Sequence, residues 1–268
     1  MIFLYNEDCR ETMRRMEPGS IDVILTSPPY NTSRGVDTEI ERSRHTSRYE
    51  GYSDALEYKT YEAMMIDVFK QIDVVLKSNG VILLNLSYAS NKDTMKCTNM
   101  INLLNALCAE ARLDIADIIC WKKKSALPNN RSKRTLTRIV EYIFVMCRKD
   151  EYTTFQTNKK EVSRNAKNYV FYENIYNFVE AKNNDGTCPY NKATYSSELC
   201  EKLLSVYCPE GGTVYDPFIG SGTTAVACEK LGLNCCGSEI SENLVNFSEN
   251  RIIEEFQDVE IRILRGIC

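Results

Sequence analysis

The stretch Thr213-Val214-Tyr215-Asp216-Pro217-Phe218-Ile219-Gly220-Ser221-Gly222-Thr223-Thr224-Ala225 decides the fold. A β-favouring run ends at Asp216, two glycines follow two positions apart, and a helix-compatible segment, Ala225 to Leu231, comes next. The glycines therefore fall where a strand turns into a helix, which in an open α/β sheet is where a ligand binds. Glycine lets the backbone approach that ligand with no Cβ in the way, and Thr223 and Thr224 can offer hydroxyls or cap the new helix. Further on, Glu239 ends a second short run, Asn234 to Ser238, where a carboxylate can accept two hydrogen bonds from ribose hydroxyls.

Three nucleotide-like readings compete for this turn, beside a ligand-free glycine turn. A phosphate-gripping P-loop needs a Lys after the second glycine, and Thr223 stands there instead. A dinucleotide site fits the spacing Gly220-x-Gly222-x-x-Ala225 with Glu239 downstream. Asp216-Pro217-Phe218 puts an anionic carboxylate at the strand end, a poor neighbour for pyrophosphate and a good one for a cation. A sulfonium cofactor with an amino acid tail suits that charge.

The chain has 268 residues, 43% hydrophobic and 26% charged, enough for one large α/β core with a small appended lobe and no sign of disorder. There is no apolar run of bilayer-spanning length and no basic n-region followed by an apolar stretch, so an intracellular protein without a membrane partner is expected. Twelve cysteines are scattered and never form C-x-x-C, which reads as reduced buried thiols. With His45 as the single histidine, a histidine triad or a multi-histidine metal site lacks material, and no metal is expected.

The net charge of −4 argues against a strong non-specific polyanion binder, yet the charge is uneven. Lys122, Lys123, Lys124, Arg131, Lys133, Arg134 and Arg138 lie close together with no acid until Glu141. The run reads either as a solvated face or as a phosphate-tracking patch on a loop around Leu127-Pro128-Asn129-Asn130. Trp121, just before it, either stacks on a base or belongs to the core.

From the start, Ile2 to Tyr5 reads as a strand, Cys9 to Met16 as a helix closed by Pro18-Gly19, and Ile21 to Leu25 as a second strand. That strand stops at Thr26-Ser27-Pro28-Pro29-Tyr30-Asn31, because two prolines cannot continue a ladder. They free backbone carbonyls and hold Tyr30 fixed, so one rigid turn presents a hydroxyl, a carbonyl and an aromatic face. Apolar spacing predicts helices over Tyr61 to Leu76 and Thr98 to Ala111, and strands over Ile115 to Trp121 and Val140 to Cys147.

With both turns in view, the chain resembles the amino-group DNA methyltransferases that depend on S-adenosylmethionine, of the permuted class whose catalytic motif precedes its cofactor motif. The resemblance rests on Thr26 to Asn31 and Asp216 to Thr224, and extends to Asp8, to Val75 to Val81 leading into the strand Ile82 to Leu86, and to Asn191-Lys192-Ala193-Thr194-Tyr195 before the helix Glu198 to Tyr207. The family often has Gly where Glu7 stands, and commonly His and Pro where Asn191 and Ser196 stand. The implied fold is a single Rossmann-like α/β domain, a mostly parallel mixed sheet with helices on both faces in circularly permuted order. The implied partner is DNA, and a homodimer is compatible with the family.

The resemblance assigns catalysis to Ser27, Pro28, Pro29 and Tyr30. It assigns the cofactor to Asp8, Cys9, Asn31, Lys192, Ala193, Asp216, Pro217, Phe218, Gly220, Ser221, Gly222, Thr223, Thr224 and Glu239. An amine conjugated to a base is a poor nucleophile, improved when Ser27 and the Pro28 carbonyl accept its hydrogens, while Tyr30 replaces the stacking that a swung-out base loses. Residues 32–60 are expected to be a lid or DNA-contact loop, and 150–185 a small target-recognition insertion. In the family, Ser at the Ser27 position leans to N4 of cytosine over N6 of adenine. RNA or a protein amide as acceptor, and a non-catalytic DNA-binding subunit, remain as other readings.

Overall fold

The computed structural model describes residues 1–31, 56–87, 99–126, 128, 130, 133, 136–186, 188–190 and 194–265. The expected lid therefore lies outside the described residues except at its end, as do Arg131, Arg134, Lys192 and Ala193.

Nine strands form one sheet in the order β11-β1-β10-β9-β2-β3-β5-β4-β8. They are β1 Ile2–Asn6, β2 Ile21–Thr26, β3 Leu76–Leu86, β4 Leu113–Lys123, β5 Val140–Arg148, β8 Phe178–Ala181, β9 Thr213–Asp216, β10 Asn234–Ser238 and β11 Ile261–Arg265. Only β5 runs against the rest, antiparallel to both β3 and β4. A hairpin of β6 Glu161–Arg164 and β7 Val170–Tyr172 stands apart as a two-stranded sheet. The helices are α1 Cys9–Arg15, α2 Tyr58–Val75, α3 Asn99–Glu110, α4 Ser197–Tyr207, α5 Thr223–Lys230 and α6 Glu242–Glu255. None of these is long and apolar enough to cross a membrane.

The central strands are apolar on both sides and so accept a helical layer on each face. Val23, Leu25, Leu83 and Val214 pack against α4 and α5, whereas Ile24, Ile82, Leu84 and Tyr215 pack against α1, α2 and α3. In α2 the buried residues Tyr61, Met65, Val68, Phe69, Ile72 and Val75 recur at helical spacing, which is why the segment is a helix with one stripe inside. Trp121 belongs to this interior at 1% exposure, its indole N–H towards the Ala181 carbonyl at 3.4 Å; it does not stack on a ligand.

The predicted strands and helices are present, with shifted ends. β3 begins at Leu76, inside the segment expected to lead into it, and Asn79 at φ +59° marks the irregularity there. The last expected helix starts at Thr223, because Gly222 in the left-handed conformation is its N-cap. No element was expected after Glu239, yet α6 and β11 complete the sheet edge and the layer beneath the glycine turn. Their apolar pattern is thin, with Leu244, Val245 and Ile252 as the buried hydrophobics of α6.

Candidate active site

β9 and β2 are neighbours at the middle of the sheet, and their connections leave in opposite directions. From β9 the chain passes through α5 to β10 on one side; from β2 it runs to α2 and β3 on the other. The carboxyl ends of β9 and β2 thus border the crevice of a topological switch point, where open α/β sheets hold their ligands. Each strand end carries one of the two turns singled out in the sequence.

Asp216, at the end of β9, is 1% exposed and accepts four hydrogen bonds. They come from Thr26 Oγ1 at 2.8 Å, Thr224 Oγ1 at 2.7 Å, Tyr195 Oη at 2.8 Å and the Phe218 N–H at 3.0 Å. A carboxylate has about four acceptor sites, so none is left for a ligand. The expectation that this charge meets a cationic ligand directly is corrected: Asp216 ties β2, the glycine turn and Tyr195 together. Burial pushes its pKa up, and these donors pull the other way.

The glycine turn is braced from below. Gly220 and Gly222 sit at φ +51° and +77°, and a Cβ on Gly222 would come within 2.9 Å of the Ser248 Cβ. Side chains are thereby excluded on both conformational and steric grounds. Ser248 Oγ donates to the Gly220 carbonyl at 2.7 Å, and Arg251 donates to the Ser221 carbonyl and to Thr223 Oγ1, each at 3.1 Å. The same guanidinium pairs with Asp185 at 2.5 Å, whose carboxylate also accepts from the Ser197 N–H at the start of α4.

Above this brace lies an open cleft, about 940 Å³ with the solvent in its mouth included. Pro217, Phe218, Gly220, Ser221 and Thr223 line it from one side and Asp8 and Cys9 from another. Gly222 and Thr224, placed with the cofactor by the sequence, support this wall from behind and do not line it. Burial pushes the Cys9 thiol up from its ordinary pKa. Asp8 caps α1 and is gripped by Arg10, with Nε at 3.0 Å and a second guanidinium nitrogen at 2.6 Å. That pairing holds its carboxyl below the usual range and gives the cleft a cation, Arg10, that the sequence reading did not include.

Glu239 also lines the cleft, its carboxylate accepting the Ser241 N–H at 2.8 Å. Burial raises its pKa to about 7, against the pull of the Ser241, Ile240 and Gly220 N–H groups and helped by the charge of Asp216.

Ser27 and Pro29 line this same cleft, so the turn after β2 opens into the space formed by the turn after β9. The Pro29 carbonyl accepts Tyr61 Oη at 2.8 Å. Among the described residues nothing donates to the Pro28 carbonyl. Ser27 Oγ and Tyr30 Oη lie 3.0 Å apart, and both reach Asn85 Oδ1, at 3.2 and 2.9 Å. Asn85, a residue not singled out in the sequence, stands at the carboxyl end of β3. The available signal was an amide in the otherwise apolar run Ile82 to Leu86, at the strand end that the switch-point rule marks.

Asn31, assigned to the cofactor, lies elsewhere. With Tyr30 it lines a smaller depression bounded by Tyr58, Tyr61 and Met100. Its amide is spent on Leu56, accepting that residue's N–H at 2.8 Å and donating to its carbonyl at 3.0 Å.

The fold also supplies partners to the lysines of the basic run. Lys122 pairs with Glu180 at 2.5 Å, Lys123 with Glu141 at 2.6 Å and Lys124 with Glu198 at 2.8 Å. The fold brings acids to all three lysines, two of them from 58 and 74 positions away in the chain. Lys133 is exposed and Arg138 half-buried. The hairpin β6–β7 is exposed along nearly its whole length, with Val162, Tyr169, Phe171 and Tyr172 turned to solvent.

Known proteins resemble this arrangement in sequence and in fold. The type II methyltransferase M.MthZI of Methanothermobacter thermautotrophicus is 25% identical over 276 residues, covering 95% of this chain and 78% of its own. The PvuII DNA methyltransferase, described as cytosine-N4-specific, superposes with a TM-score of 0.70 at 18% identity, covering 92% of this chain and 85% of its own. M1.HpyAVI, solved as a complex with SAM, superposes with a TM-score of 0.60 at 20% identity, covering 94% and 100%. The family model N6_N4_Mtase, described as DNA methylase, matches residues 21–250, and the chain belongs to that family.

Proposed function

We propose that the chain transfers the methyl group of S-adenosylmethionine to an exocyclic base amine in DNA, N4 of cytosine before N6 of adenine. One observation carries the proposal: Ser27 and Pro29 share a single cleft with the Phe218 to Thr223 turn and Glu239. The cleft's chemistry fits the cofactor. The left-handed Gly220 puts no side chain into the wall, and Glu239 offers acceptors for a ribose. When bound, the cofactor supplies a methyl group already activated on a sulfonium.

The protein's own part is positioning and electrostatics, as expected where no side-chain nucleophile is required. Ser27 Oγ and the Pro28 carbonyl accept the amine hydrogens, and Tyr30 supplies an aromatic face for a base taken out of the stack. Asp216 works at one remove, holding the two turns at a fixed separation. Ser27 favours cytosine, in line with the cytosine-N4 specificity of the PvuII enzyme. The exposed aromatic residues of β6–β7, with Lys159, Lys160, Arg164 and Lys167 around them, suit the target-recognition element.

DNA with methyl-labelled cofactor, digested and analysed by nucleoside mass, is the test. N4-methylcytosine is expected. N6-methyladenine moves the target atom and leaves the class intact, whereas 5-methylcytosine, or transfer to RNA or protein alone, overturns the proposal. Phosphate contact is tested with Lys122→Ala/Lys123→Ala/Lys124→Ala. Each lysine that exchanges its carboxylate for a phosphate lowers the slope of log K against log salt by roughly 0.9. Because all three start paired, the expected change is smaller than for three unpaired lysines; an unchanged slope makes the run a solvated face.

A further inference from the structure

α6 carries Ser248 and Arg251 three positions apart, so both side chains leave one face of the helix and meet the glycine turn together. Between them they hold three polar atoms of that turn. Ser248 Oγ takes the Gly220 carbonyl, and a single guanidinium nitrogen, Nη1, donates to the Ser221 carbonyl and to Thr223 Oγ1. Ser221 and Thr223 are each 4% exposed and line the cleft.

The second terminal nitrogen, Nη2, faces the other way and pairs with Asp185 Oδ2 at 2.5 Å. That oxygen also accepts the Ser197 N–H at 2.8 Å, at the start of α4. Two residues earlier Asn183 exchanges hydrogen bonds with Ser125, just past β4, at 2.8 and 3.4 Å. The carboxylate is thus held by α4 and by a segment anchored at the sheet edge, and it aims the guanidinium at the turn. Such a bridge needs donors on separate atoms of a rigid fork, which an ammonium lacks.

Charge alone does not account for an arginine here. Gly222, the N-cap of α5, makes no side-chain capping bond, so the positive end of the helix dipole lies beside the guanidinium at Thr223. A cation is disfavoured there, and Asp185 offsets it. What the position gains from arginine is geometry.

We propose that Arg251 is a positioning residue for S-adenosylmethionine: aimed by Asp185, it fixes the Ser221 carbonyl and the Thr223 hydroxyl and so keeps the glycine turn in the shape that receives the cofactor. This rests on the proposed function, in which that turn holds the cofactor. Neither Arg251 nor Asp185 lines the cleft, so both act through the turn.

The test reads cofactor binding by the full chain, apart from activity. Arg251→Met keeps an aliphatic stem and removes the donors; Asp185→Asn removes the charge that aims them and carries the test should Arg251→Met fail to fold. In titrations with S-adenosylmethionine, Arg251→Met should bind about tenfold and Asp185→Asn about threefold more weakly, since apparent affinity falls with the fraction of molecules whose turn keeps its shape. Arg251→Lys should recover little of the loss. The double variant should bind no more weakly than Arg251→Met, because the two residues act as one unit. Without cofactor, the amides of residues 220–224 should exchange faster in Arg251→Met than in wild type. Single-turnover transfer to DNA at saturating cofactor should stay within about twofold of wild type, as for a loss confined to binding. Ile252→Val, a core substitution on the same helix, is the control: it should lower the thermal midpoint and leave affinity unchanged. Affinity kept in Arg251→Met and Asp185→Asn, or lost only in proportion to thermal midpoint as in Ile252→Val, overturns the inference and leaves the methyl-transfer reading intact. A wild-type protein that binds no S-adenosylmethionine sinks both.

Discussion

After β9 the chain turns through two left-handed glycines held from below by Ser248 and Arg251; after β2 it turns through two prolines held by Tyr61, with the Ser27 and Tyr30 hydroxyls on Asn85. In the first turn the protein occupies the carbonyls of Gly220 and Ser221, and Gly220 brings no side chain to the cleft. In the second the prolines bring carbonyls but no N–H, and the neighbouring hydroxyls lie within reach of the Asn85 amide oxygen. In the proposed function one turn is approached closely by the cofactor and the other accepts the hydrogens of the base amine. Asp216 joins them through Thr26 and Thr224, so their spacing is a property of the core.

The largest expected effect separates chemistry from binding. Ser27→Ala and Tyr30→Ala should each lower the transfer rate by roughly 10²- to 10³-fold while cofactor affinity stays near wild type, as for groups that act mainly in the transition state. Stopped-quench transfer beside cofactor titration reads both. Equal losses in rate and cofactor affinity would mean that the proline turn holds the cofactor too, and the division of labour would fail.

The next effect concerns the joint. Asp216→Ala leaves Thr26 without its acceptor in a dry interior and deprives Thr224 and Tyr195 of their shared partner. A cost of about 3 kcal/mol is expected. Urea unfolding with and without cofactor measures it. A variant as stable as wild type that had lost only cofactor binding would show that the carboxylate serves the ligand after all.

Much of this was readable from the chain because its determinants are local. Strand-turn-helix order around Gly220 and Gly222, the proline stop after β2 and the acid at the end of β10 all depend on neighbours in sequence. What could not be read depends on partners far away. Asp216 looks like a free anion until Thr26, 190 positions distant, and Tyr195 arrive on it. Lys122 and Lys124 look unpaired until β8 and α4 deliver Glu180 and Glu198. Asn85 looks like a flaw in an apolar strand until register sets it beside Ser27. α6 escaped notice for a related reason: its task is to brace a turn through Ser248 and Arg251, which leaves only a thin apolar stripe.

The smallest effect tests the glycine-turn side through pH. Glu239 has its pKa raised from 4.5 to about 7, chiefly by burial. Between those values the folded carboxyl keeps a proton that the unfolded chain has released, so this group's contribution to stability declines as pH rises from 4.5 to about 7 and is level above. Cofactor binding runs the other way. An acceptor for two ribose hydroxyls is strongest when ionised, so affinity should climb through pH 7 and plateau above it, by at most about tenfold per unit for one linked proton. Glu239→Gln keeps the size and removes the titration, and should bind more weakly above pH 7 by roughly 1.5 to 3 kcal/mol, the worth of a hydrogen bond to a charged group. Subtracting its pH profile from that of the wild type removes the titration of the ligand's own amine, common to both. A difference profile flat from pH 6 to 8 would show that Glu239 does not accept from the ligand, and the two turns would then differ in bracing but not in what each presents to the cleft.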